Sequence, residues 1–180
     1  MMRLIALTGY KGSGKTHLAS ALFERLSQRA RRPYVVSFAQ PLRSAVARML
    51  QISESEVLKY KDVEHPVFKI KTRPLLISLG RAAILQNKNI FVDLLIRKIV
   101  ENSNRYNVFI IDDMRFLHEY YEMLTFANTV NADFLVVRVK NENVTLDKND
   151  EVEKEIDQIP YDVEYYAFYD VPEKILEFVC

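Results

Sequence analysis

Short, wholly apolar runs along this chain alternate with stretches in which apolar residues recur every three or four positions. Arg3–Thr8 (RLIALT) and Val108–Ile111 are runs of the first kind and predict buried strands, as do Tyr34–Phe38 and Phe134–Val139. Between the first two strands, Leu18, Leu22 and Leu26 share one face of a helix predicted over His17–Ala30, which Pro33 stops. Pro41 sits where a helix over Leu42–Leu50 would open, and Ser53-Glu54-Ser55-Glu56 has the form of a capping box for another short helix. Residues 60–73 are mixed and basic, with Lys59 just before them. Pro74–Gln86, Asn89–Glu101 and Tyr120–Asn128 predict three more helices, and Tyr165–Tyr169 a last strand. Strands separated by helices predict an α/β fold, a parallel sheet of about five strands flanked by helices. In such sheets the site lies along the carboxyl ends of the strands.

The glycines locate that site. Three of the four fall within six residues, and Gly9-Tyr10-Lys11-Gly12-Ser13-Gly14-Lys15-Thr16 matches G-x-x-x-x-G-K-[ST] at every fixed position. A strand precedes it and a helix follows, so backbone N–H groups and a helix N-terminus converge on an anion. The pattern predicts a bound nucleoside triphosphate, with Lys15 on the β/γ-phosphates and Thr16 on Mg²⁺. Gly12, Ser13, Gly14 and His17 complete the predicted ATP contacts. A second cluster, Asp112-Asp113-Met114-Arg115-Phe116, follows the Val108–Ile111 strand directly. A carboxylate there can hold the Mg²⁺ shell, and an arginine two residues on can contact the transferring phosphate. Adjacent strand residues point to opposite faces, so only one of Asp112 and Asp113 is expected to aim at the loop.

Composition narrows the setting without naming the reaction. The chain has 180 residues, 25 basic and 24 acidic, for a net charge of +1, which gives no bulk attraction to a nucleic-acid polymer or a membrane. The single cysteine, Cys180, rules out a disulfide framework or a cysteine metal site and fits a cytoplasmic protein. No run reaches the length of a membrane span, and the apolar N-terminal stretch is too short for a secretion signal.

A third cluster makes a family resemblance specific. Ser37-Phe38-Ala39-Gln40-Pro41-Leu42-Arg43, together with the strand ending Asp-x-Arg-Phe, resembles the phage-type deoxynucleoside monophosphate kinases. These are P-loop proteins of the nucleoside monophosphate kinase-like group, with phosphomevalonate kinase as a more distant relative. Arg73–Arg81 (RPLLISLGR) is similar to that family's R-x-L-L-Q-x-L-G segment, and Asn89–Asp93 to the motif opening its next helix. Glu119 stands where the family often has a glutamate, and Val136-Val137-Arg138-Val139 resembles its V-x-R-V strand.

The resemblance implies one P-loop kinase domain over residues 1–180, with an acceptor-binding insert at about 40–100 and a lid-like segment at about 140–160. It implies transfer of the ATP γ-phosphate to a deoxynucleoside monophosphate, with Mg²⁺ required, and by analogy a homodimer. Lys15, Asp113 and Arg115 would be catalytic, and Arg138 would contact ATP. Phe38, Ala39, Pro41, Leu42, Arg43, Arg73, Gly80, Arg81 and Phe91 would hold the acceptor, together with Asp113 and Arg115. Two departures stand out. Ile77 replaces the family glutamine, and Val152-Glu153-Lys154-Glu155 keeps a glutamate but lacks the histidine of H-x-S/T-E. Two other readings remain open: a kinase of another small acceptor, such as phosphomevalonate or gluconate, and a non-enzymatic nucleotide-binding module. Gln40 argues against hydroxyl acceptors, which need a carboxylate base near the end of the second strand.

Overall fold

The computed structural model describes residues 1–144, 151–167 and 169–179. Residues 145–150 of the expected lid, and residue 168 of the expected last strand, lie outside these. Five parallel strands form one sheet: β1 (Arg3–Thr8), β2 (Pro33–Val36), β3 (Val108–Met114), β4 (Asp133–Lys140) and β5 (Val163–Tyr166), in the order β2-β3-β1-β4-β5. This is the five-stranded parallel sheet flanked by helices that the sequence predicts. β1 lies between β3 and β4, pairing Arg3 with both Val108 and Asp133.

Burial explains why the central strands read as unbroken apolar runs. Leu4, Ile5, Ala6 and Leu7 are all fully buried, as a strand covered on both faces must be. Ile5, Leu7, Ile110 and Val137 pack with Leu18, Leu22 and Leu26 of α1 (Lys15–Gln28). Ile175 and Leu176 join the same core from a short C-terminal helix, Glu173–Glu177, that the sequence pattern did not predict. α6 (Leu117–Thr129) buries Met123, Phe126 and Ala127 and lies against β4.

Element boundaries shift for local reasons. β5 begins at Val163, two residues before the expected start. Asp162 anchors it, since its backbone N–H donates to Val136 O at 2.9 Å and its carboxylate accepts from Val136 N at 2.8 Å. α6 begins at Leu117 rather than Tyr120, because Glu119 caps its first turn. β3 runs on through Asp112 and Asp113 to Met114.

The chain divides into two compact units, one of Met1–Ser37 with Leu95–Cys180, the other of Phe38–Leu94. The second unit comprises α2 (Gln40–Leu50), α3 (Glu54–Lys59), α4 (Thr72–Gln86) and the first turns of α5 (Ile90–Asn102). Its own small core holds Val46, Ala47 and Val57, with Leu50, Ile52, Leu75 and Leu76 against them. Ser53 and Glu56 form the capping box on α3 that the sequence predicts. With so few apolar residues sharing the load, Val57→Ala should cost about 2 kcal/mol, read as a lowered urea midpoint.

Candidate active site

The turn from β1 into α1 is shaped by two glycines. Gly9 has φ +146°, and a Cβ there would stand 2.2 Å from Val139 O, so the chain passes hard against the end of β4. Gly14 has φ +97° and caps α1, and its Cβ would meet that of Ala167 at 2.8 Å. Lys15, the first residue of α1, is buried and arches back over the loop. Its Nζ donates to Gly9 O at 2.6 Å and Tyr10 O at 2.8 Å. Thr16 and His17, next on the helix, are exposed.

The second cluster reaches the same place from β3, which is paired with β1. Asp113 accepts from Ser37 Oγ at 2.6 Å, at the end of β2. Arg115 follows on the turn into α6, where Glu119 Oε2 accepts the N–H groups of Arg115 (2.8 Å) and Phe116 (3.1 Å). The electrostatics tie the clusters together. Burial, and then the Arg115 guanidinium, depress the Lys15 ammonium to about 8, against the pull of Asp113, Glu153 and Asp112. Of the two strand carboxylates Asp113 acts on it the more strongly, as alternation along β3 leads one to expect.

Glu119 is buried, and desolvation lifts its carboxyl to about 8 despite the two backbone bonds that favour its charged form. A folded pKa above the ordinary 4.5 means that the native state binds the proton more tightly. Stability is therefore full below pH 4.5 and is lost as pH rises through 8. Glu119→Gln keeps an acceptor for both N–H groups and removes the titration. Its denaturation midpoint should stay flat between pH 5 and 8, where the unmodified protein declines.

A further set of contacts comes from α7 (Glu151–Ile156) and the residues after it. Glu153 Oε1 accepts Lys11 N–H from the phosphate loop at 2.9 Å. Glu155 Oε1 accepts Leu117 N–H at the start of α6 at 2.8 Å. Asp157 takes the Tyr10 hydroxyl on both oxygens, at 2.6 and 2.7 Å, and burial with that contact pushes the phenol up to about 12. Arg138, expected at ATP, is buried with its guanidinium on Ile156 O (2.7 Å), Ile159 O (2.9 Å) and Asp157 (3.2 Å), over the Tyr161 ring. Lys140 pairs with Glu164 at 2.6 Å. Beside the loop is a cavity of about 210 Å³, its lining including Gly9, Tyr10, Val139, Asn141 and Tyr166.

The remaining expected residues lie in the second unit. Phe38 is buried, Ala39 stands at the N-cap of α2, and Pro41 is in its first turn. Leu42 lies over Gly80 on α4, where a Cβ would come 3.3 Å from Leu42 Cδ1, so Gly80 permits the close approach of α2 and α4. Arg43 is 3.9 Å from Glu54. Arg73 meets Asp62 side-on, Nε at 2.6 Å and Nη2 at 2.7 Å, an arrangement that fixes the guanidinium plane and leaves its Nη1–Nη2 end facing away. Arg81 and Ile77 are exposed, and Phe91 is half-buried. Sequence reasoning quoted Tyr10 and Ser37 within the motifs but gave neither a role, and it placed Glu153 and Asp157 in the expected lid without a partner for either.

Among the described residues no three His, Cys, Asp or Glu side chains gather as a metal cage. Thr16, Asp112 and Asp113 are the oxygen-bearing side chains here that could hold a Mg²⁺ ion, which keeps much of its water and takes few protein oxygens.

The phosphomevalonate kinase family profile matches residues 7–131, well over half of the chain. The chain belongs to this family. The matched span includes the phosphate loop, the Asp112–Arg115 cluster and the whole Phe38–Leu94 unit. Among solved structures, an APS kinase of Mycobacterium tuberculosis is 12% identical, with 99% of this chain and 94% of that one covered and a TM-score of 0.53. Kti12 of Chaetomium thermophilum in complex with ADP-AlF3 is 20% identical over 76% of this chain and 60% of its own, with a TM-score of 0.41. The first likeness bears out the P-loop kinase fold. No curated protein matches the chain. Family membership is thus with phosphomevalonate kinase, which the sequence motifs ranked as the more distant relative.

Proposed function

We propose that this phosphomevalonate kinase family member transfers the ATP γ-phosphate to a phosphate group of a small acceptor, and that the acceptor is a deoxynucleoside monophosphate. The observation that carries the reading is the phosphate loop itself. Lys15 Nζ is folded onto Gly9 O and Tyr10 O, and Arg115 stands on the turn after β3, the strand paired with β1. The Arg115 charge disfavours the Lys15 ammonium, a cost that a bound polyanion relieves. Phosphoryl transfer asks for little else than such charge and positioning. An acceptor that is already a phosphate needs no strong general base.

In this reading the loop N–H groups and Lys15 hold the β- and γ-phosphates, and the cavity by Tyr166 and Asn141 takes the base of ATP. Mg²⁺, when bound, screens phosphate charge. Asp113, oriented by Ser37, would hold its shell. Arg115 neutralises the group in flight. The Phe38–Leu94 unit is the acceptor-binding part: Arg73, set by Asp62, grips the acceptor phosphate end-on, with Arg81 and Arg43 as further cations. Phe38-Ala39-x-Pro41-Leu42 supports a nucleotide acceptor through its resemblance to the phage-type kinases. The family profile favours a second reading, phosphomevalonate, which is also a phosphate acceptor.

The test is a coupled assay with Mg-ATP against dAMP, dCMP, dGMP, dTMP, dUMP, their ribose counterparts and phosphomevalonate. Turnover on deoxynucleotides is expected. Turnover on phosphomevalonate alone would establish the second reading, and silence on all of them would overturn both.

A further inference from the structure

The phosphate loop already holds an anion. Glu153 is 6% exposed, and its carboxylate takes the N–H of Lys11, within the segment whose amides are arranged to cradle phosphate. It also lies near enough to Lys15 to favour the charged ammonium. A buried carboxylate and a triphosphate repel one another, and neither tolerates the loss of its N–H partners without cost. We infer that Glu153 acts as an internal stand-in for phosphate, which an incoming nucleoside triphosphate must displace from the loop. The inference rests on the loop binding a triphosphate.

The consequence reaches beyond the loop, because Glu153 is one of three acidic arms on the same short segment. Asp157 holds the Tyr10 hydroxyl and Arg138, and Glu155 holds Leu117 N–H two residues from Arg115. Expelling Glu153 strains the other two contacts, so arrival of nucleotide at β1–α1 is felt at the arginine-bearing turn after β3. The segment is a latch set between the two helix N-termini that flank the site.

The test is calorimetric titration of the full chain with Mg-ATP, comparing the unmodified protein with Glu153→Gln. The amide keeps the size and an acceptor for Lys11 N–H but carries no charge. Binding about ten-fold tighter is expected, within the usual range of coupling free energies. Unchanged or weaker binding by Glu153→Gln, with normal binding by the unmodified chain, overturns the inference alone. Absence of binding by both overturns the triphosphate reading as well. Hydrogen exchange on the unmodified protein gives a readout free of any folding defect in the variant. Amides of residues 153–157 should exchange faster when Mg-ATP saturates the loop. Slower exchange would mean that the segment closes on nucleotide, and would overturn the latch.

Discussion

Lys15→Ala should lower turnover by about a thousand-fold while leaving the protein at least as stable as before. The two halves of that expectation have one cause. Burial and Arg115 press the ammonium down to about 8 from its ordinary 10.5, so the folded chain holds this charge at a cost. With the folded value below the unfolded one, the contribution is unfavourable at pH 7, fades as pH rises from about 8, and is gone above 10.5. Deleting the side chain relieves the fold and removes the charge that phosphoryl transfer requires. A thermal melt beside a steady-state assay checks both; retained turnover would remove Lys15 from the chemistry. The same depression predicts proton uptake on binding. Phosphate oxygens draw the ammonium back to its charged form, so titrations near pH 8 in buffers of different ionisation enthalpy should report a substantial fraction of a proton taken up.

Arg115→Ala is the second large effect, about a thousand-fold in kcat with little change in ATP affinity, since an arginine that meets the moving phosphoryl group acts in the transition state. The turn that carries it is fixed through the backbone, by Glu119 on the N–H groups of Arg115 and Phe116. Removing its side chain therefore leaves the turn in place. One further sign separates its role from a surface charge. Without the guanidinium the Lys15 ammonium loses its main electrostatic opponent, so the midpoint of proton uptake should move upward in pH. A variant with normal kcat and an unmoved midpoint would remove Arg115 from the site.

The sequence carried the central sheet and the phosphate loop because both leave local marks. Buried parallel strands are apolar throughout, and the loop's backbone demands glycine at Gly9 and Gly14, where a side chain would collide with Val139 and Ala167. The Asp112–Arg115 cluster was legible for the same reason, lying directly behind an apolar strand. Contacts between distant segments were not. Nothing in the order of residues announces that Glu153 meets Lys11 or that Asp157 meets Tyr10, and an acidic, glycine-free stretch looks the same whether it is solvated or docked. Arg138 was legible only in part. The resemblance assigned it to ATP, and it does line the cavity beside the loop, but its hydrogen bonds to residues 156–159 are brought together only by the folded chain.

The strand order also constrains how this chain is made. β3 lies between β1 and β2, so those two strands, synthesised before it, have no pairing with each other. Until Val108–Met114 emerges, the nascent chain carries two apolar strands whose backbone donors and acceptors lack their sheet partner. The Phe38–Leu94 unit, complete by then and with a core of its own, can fold in the interval and shorten the loop that β3 must close. All residues of the part proposed to hold the acceptor are thus synthesised before the strand on which the sheet's closure at β1 and β2 depends.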